Sequence, residues 1–221
     1  MSTDEFCATE LRARDCYRLM TDIIAPRPIA WVSTVDGEGR PNLAPFSYYQ
    51  AVCSSPPTIV LGIGWRPDGR PKDTLANILE TREFTVSHVS VALTEAMNAS
   101  AAAFPGEVSE WAACGVAPAP AAVVEPGRVA LARAGLECRL RQAIPLGETR
   151  HGGPSATLVI AEVVHFWVAA GLIERDGRDR LSPIDPAALG AVGRLGGDSY
   201  VDASEAFTLD RDPEIPPSAG S

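Results

Sequence analysis

Residues 26–74 constrain the fold more tightly than any other part of the chain. They contain PRPIAWVST, the turn DGEG, then PNLAPFSYYQAV and, after one more apolar run, RPKDTLANI. Asp-Gly tolerates the positive backbone angles a tight turn demands, so residues 29–34 and 43–52 are expected to pair as a hairpin. The second strand carries Pro45, which cannot donate to a sheet ladder and belongs at an edge or a bulge. Some of its backbone groups are therefore free for something other than a neighbouring strand. In the third piece, Lys72, Asp73 and Thr74 open a short amphipathic helix over residues 73–81, with Asp73 or Thr74 as its N-cap. Free N–H groups and the positive dipole end favour an anion such as a phosphate there. Plainer readings stand beside these: Ser33 and Thr34 opening the turn, Lys72 on a solvated helix end, and Pro45 marking an edge and nothing more.

The remaining chain supplies more strands than helices. TIVLGI at residues 58–63 is a β-branched run, and Phe84, Val86 and His88 recur at period two. Within residues 129–145, Leu136, Cys138 and Leu140 alternate with Glu137, Arg139 and Arg141, the pattern of a half-buried strand. Residues 156–169 form a long, bent strand, since Glu162 and His165 in its middle argue against a membrane span. Residues 5–22 are a weak helix or an irregular lead-in. An alanine-rich helix is predicted over residues 92–104, a short turn at Trp111 and Cys114, and a surface connection over residues 115–127. At least six strands with no regular strand-helix alternation exclude a doubly wound parallel sheet and predict a mainly β, mostly antiparallel barrel.

Composition narrows the function classes. The 221 residues suffice for one well-buried domain, and the net charge of −9 provides no basic face for nucleic acid. Five cysteines without a Cys-x-x-Cys pair read as free, mostly buried thiols in a reducing cytoplasm. The N-terminus has no apolar core of a secretory signal, so a cytoplasmic location is expected. Histidines at 88, 151 and 165 converge on no metal-ligand set, and His88 and His165 read as satisfied strand residues. HGGP at residues 151–154 lacks the Gly-x-Ser-x-Gly partner of a hydrolase, and GIGWRP lacks the third glycine of a dinucleotide fingerprint.

The order of PRPIAWVSTVDGEGRPNLAPFSYY, KDTLANILETREF, EAMNASAAAFP, LVIAEVVHFWV and VGRLGGDSY resembles the flavin reductase-like family of FMN-binding split barrels, in particular its flavoredoxin-like branch. The resemblance covers residues 17–209, leaving 1–16 as a lead-in and 210–221 as a loose Pro-rich tail. It implies a six-stranded antiparallel Greek-key split barrel with a few short flanking helices, a homodimer, and one FMN per subunit near the dimer interface. By the same resemblance Ser33, Thr34, Lys72, Asp73 and Thr74 would hold the phosphate and ribityl chain. Asn42, Leu43, Ala44, Pro45, Phe46 and Ser47 would lie along the isoalloxazine ring. Arg194 and Tyr200 match a C-terminal arm that would reach the flavin or pack the dimer. No side chain is assigned a catalytic role, because the cofactor performs the redox chemistry. Nicotinamide-using members commonly carry Gly-Asp-His before the strand that here reads LVIAEV, where this chain has Pro154-Ser155-Ala156. Two functions follow: an oxidoreductase that takes hydride from NAD(P)H, serving an acceptor or a partner oxygenase, or an FMN-holding electron carrier reduced by a partner protein.

Overall fold

The hairpin forms where Asp-Gly places it. In the computed structural model, which describes residues 2–105, 108–149 and 152–209, β1 (Ala30–Val35) pairs antiparallel with β2 (Pro41–Phe46). The turn is tied by Asp36, whose Oδ1 accepts from the N–H groups of Glu38 and Arg40, each at 2.9 Å. The expectations for His151 and for the tail 210–221 fall outside the described residues.

Beyond Phe46 the sequence reading needs correction. Residues 43–52 are not one strand: β2 ends at Phe46, and β3 (Tyr49–Ser54) starts on the opposite edge of the sheet, paired with β4 (Pro57–Gly64). With β5 (Glu83–Ser87), β6 (Ala134–Leu146) and β7 (Ala156–Val168), the sheet has seven strands in the order β2-β1-β5-β6-β7-β4-β3, every pair antiparallel. The link Ser47–Tyr48 crosses the gap between the two edges, and the Gly62 N–H donates to the Tyr48 carbonyl at 2.7 Å. This is the split of a mainly β split barrel, with seven strands rather than six.

Apolar residues face both ways from the sheet. Val32, Leu61, Ile63, Phe84, Cys138 and Val159 fill the barrel, and α2 (Asp73–Thr81) closes its end with Leu75 and Ile78. Trp31, Leu43, Met97, Trp111 and Trp167 form a second core outside the sheet, under α3 (Thr94–Ala99) and α4 (Glu110–Ala113). Each such side chain contributes roughly 1.5–3 kcal/mol by burial. The helix expected over 92–104 is shorter, a single 3₁₀ turn (Val91–Leu93) followed by α3. Ser100 ends it: its hydroxyl donates to the Met97 carbonyl at 2.7 Å and accepts from Trp31 Nε1 at 2.9 Å, the local competition by which serine diverts a helix.

Several side chains depart from expectation. Glu137, assigned to the solvent face, is 1% exposed, because the 120–125 segment folds over it and donates the N–H groups of Ala122, Val123 and Val124 to its carboxylate. His88 lies just past β5 with both ring nitrogens buried and no hydrogen-bond partner among the described residues, so it is not a satisfied strand residue. The five cysteines are free, but only Cys138 is buried; Cys7 and Cys53 are exposed. Among the described residues no helix is long and apolar enough to cross a membrane.

Two terminal segments meet beside the barrel. The N-terminal helix (Ala13–Ile23) leads into Arg27–Pro28, which pair with Val192–Arg194 of the C-terminal arm, itself paired with Tyr200–Asp202. Gly193 permits this pairing, since a Cβ there would lie 2.7 Å from Pro26 Cβ.

Candidate functional site

The edge strand β2 and the start of α2 bound a cleft of about 580 Å³. Asn42, Ala44, Pro45, Phe46, Lys72, Asp73 and Thr74 line it, so seven of the residues singled out in the sequence converge. Trp65, Arg66, residues 100–104 and Glu110 complete the lining. Ser33, Thr34 and Leu43 do not line the cleft; all three are fully buried behind it, and Ser33 Oγ has no hydrogen-bond partner among the described residues. Ser47, Arg194 and Tyr200 line a second, smaller cavity that shares Pro45, Phe46 and Ala101 with the cleft.

A buried polar network joins strand to helix. Asn42 Nδ2 donates to Thr74 Oγ1 at 2.9 Å and to Thr34 Oγ1 at 3.2 Å, and Asn77 Nδ2 donates to Thr34 Oγ1 at 3.0 Å. The two threonines thus act through Asn42, fixing where β2 meets the first turn of α2. That turn has Lys72 at its N-cap, with no side chain capping it. The N-cap expected of Asp73 or Thr74 is not formed: Asp73 pairs with Arg66 at 2.5 Å, and Thr74 turns into the buried network. The first N–H groups of α2 therefore lie at the cleft with no side-chain cap among the described residues. Lys72 Nζ sits 5.7 Å over the Phe46 ring and makes no ion pair among the described residues.

The middle of the cleft is an edge strand stripped of donors. Leu43 N–H points outward, toward Glu110 Oε2 at 3.4 Å, so by strand alternation residues 41, 43 and 45 share that direction. Pro41 and Pro45 have no N–H, and that of Leu43 is engaged. The outward carbonyl of Pro45, which lines the cleft, remains as an acceptor, whereas Leu43 is fully buried. Burial pushes the Glu110 carboxyl above its ordinary pKa, and the negative charge of Asp73 adds to the effect.

At the other end the arm supplies a cation. Arg27, 6% exposed, donates from Nη1 to the Thr21 and Ile24 carbonyls, from Nη2 to Leu195 O at 2.9 Å, and from Nε to Ser47 Oγ at 3.4 Å. It locks the start of the arm against the end of β2. Arg194 then stacks on Tyr200, whose hydroxyl donates to Asn98 Oδ1 at 2.7 Å. Arg27, Asn98, Arg66 and Glu110 were not singled out in the sequence. An arginine between two prolines at a strand start was the available signal for Arg27; Asn98 lay inside EAMNASAAAFP without a distinguishing mark.

Comparison with known proteins agrees with the fold. An uncharacterized protein of Halalkalibacterium halodurans is 40% identical over 201 residues, covering 91% of this chain and 93% of that one. Nitrilotriacetate monooxygenase component B from Bacillus cereus superposes with a TM-score of 0.86 at 34% identity, covering 95% of this chain and all of that one. Pseudomonas fluorescens 2-nitrobenzoate 2-nitroreductase superposes with a TM-score of 0.84 at 28% identity, covering 98% of this chain and all of that one. The flavin reductase like domain model matches residues 23–182, and the chain belongs to that family.

Proposed function

We propose that the protein is an FMN-binding oxidoreductase that uses NAD(P)H as electron donor. The observation that carries the reading is the order of chemical features along the cleft. A helix start with Lys72, which makes no ion pair among the described residues, suits a phosphate, and the Pro45 carbonyl suits a donor on a polyol or ring edge. Ser47 suits the polar rim of the ring. Ser33, Thr34 and Leu43 support this site from behind rather than by contact. Bound there, FMN would supply two-electron redox chemistry at its N5 position.

The residues of the chain have defined tasks in this scheme. Lys72 and the α2 amides bind and neutralise the phosphate, Asn42 and Thr74 hold that corner in place, and Trp65 and Phe46 exclude water from the ring. Trp65 is itself fixed by its indole N–H, which donates to Thr157 Oγ1 at 2.9 Å. A second copy of the chain would cover the apolar face of the N-terminal helix, where Tyr17, Met20, Ile23 and Ile24 are exposed beside Tyr48, giving a homodimer with its flavins near the interface. Anaerobic titration of FMN-loaded protein with NADH and NADPH tests the donor: rapid bleaching of the visible flavin band by either supports it. A second reading has its own observation, the absence of a histidine at Pro154-Ser155-Ala156. Slow bleaching by both nucleotides with rapid reduction by a protein donor would establish the electron carrier instead.

A further inference from the structure

The smaller cavity beside the cleft measures about 150 Å³ and is lined by Ile29, Pro45, Phe46, Met97, Arg194 and Tyr200, with Ser47 and Asn98 at its polar side. A space of this size admits one benzene-sized ring, and its lining is apolar on one side and polar on the other. Above it Arg194 is held from behind: its guanidinium lies 4.5 Å over the Tyr200 ring, Nη2 donates to the Gly197 carbonyl, and Tyr200 is anchored through Asn98. The carboxylate nearest to it, Asp198, stands 3.6 Å away and is fully exposed, so it competes only as a surface pair. Arg194 is thus an oriented cation in the wall of a ring-sized cavity whose other walls include Ile29, Phe46 and Met97. A chain of net charge −9 repels anions in general, so such a group marks the point where one would be accepted. A guanidinium presents paired donors that match a carboxylate in the plane of a ring.

We propose that this cavity receives the second substrate of the flavin site as a single aromatic ring bearing a carboxylate, with Arg194 binding the carboxylate and Tyr200 positioning the guanidinium. The proposal rests on the FMN reading above, because the cavity and the cleft share Pro45, Phe46 and Ala101 as a common wall.

The test uses FMN-loaded, full-length protein and follows the perturbation of flavin absorbance by benzoate, by neutral benzamide and by nicotinamide mononucleotide. Benzoate is expected to bind about tenfold or more tightly than benzamide, the scale of one charge-assisted hydrogen-bonded pair. In Arg194→Gln the ratio should collapse to within about twofold, and Arg194→Lys should keep part of it. Tyr200→Leu should lower the ratio and Tyr200→Phe, which keeps the stacked ring, should restore it; a merely structural tyrosine would not separate the two. A ratio near one in the wild type, or one unchanged in Arg194→Gln, overturns the proposal. So does nicotinamide mononucleotide binding more tightly than benzoate in an Arg194-dependent way, which would give the cation to the electron donor. A protein that takes up no FMN refutes the underlying reading; FMN bound with no preference for benzoate refutes this proposal alone.

Discussion

Replacing Asn42 by leucine removes the polar role of this position while keeping a branched side chain there. The side chain is 8% exposed and makes two neutral hydrogen bonds, to Thr74 Oγ1 at 2.9 Å and Thr34 Oγ1 at 3.2 Å. Leucine keeps the branching and the heavy-atom count, but its two methyls are bulkier than the amide oxygen and nitrogen, so an overpacking cost adds to the lost hydrogen bonds. Two lost bonds at 0.5–1.5 kcal/mol each, with Thr74 left without its donor at 2% exposure while Thr34 keeps Asn77, come to about 2–3 kcal/mol. For a chain of this length each kcal/mol lowers Tm by roughly 2–4 °C, so a fall of about 4–12 °C is expected. Thermal and urea unfolding of the flavin-free protein measure it. FMN titration of the same variant should show weaker binding, because Asn42 ties the edge strand to the helix start. Asn77→Leu, which removes one of the network's bonds, should lose about half as much stability. A stability within about 0.5 kcal/mol of wild type for Asn42→Leu would refute the assignment of this network as the clamp between β2 and α2.

Other residues give sharper tests of single steps. Lys72→Ala should weaken FMN by roughly tenfold or more while leaving riboflavin nearly unaffected, as read by fluorescence titration, if the ammonium meets the phosphate. Glu110 lies beside that corner with its carboxyl pKa raised by burial and then by Asp73, so the folded state favours its neutral form. The stability it contributes is present in acid and lost as pH rises through the raised folded pKa. Glu110→Gln, always neutral, should therefore exceed wild type in stability at pH 7, with the difference shrinking toward acid pH in urea melts. The same variant should bind FMN roughly two- to fivefold more tightly at pH 7 and leave riboflavin less affected. Glu137→Gln should destabilise by about 2–4 kcal/mol, since the new amide turns a donor toward the N–H groups of Val123 and Val124; chemical denaturation would show it.

What could be read in the sequence follows how local each determinant is. The hairpin rests on Asp36 and Gly37, adjacent residues whose turn chemistry needs no partner elsewhere, and the Lys72 corner rests on a helix start, so both were legible. The break at Ser47–Tyr48 was not. A run of Leu, Phe, Tyr and Val reads as one strand, and only the near approach of two sheet edges, signalled by Gly62 against Tyr48, divides it. Glu137 was misplaced because alternation assumes one solvated face, whereas here a loop from 120 to 125 covers that face and makes the carboxylate its hydrogen-bond centre. The arm shows the limit of pattern reading: Arg27 reaches Leu195 across 168 residues, a contact with no periodic signature at either end. Yet the same arginine holds Ser47, just past the end of β2, in the cavity wall it shares with Arg194 and Tyr200. The apolar strand positions therefore specified the barrel, while the electrostatic character of the site's inner end depends on a pair of arginines that only the closed fold brings together.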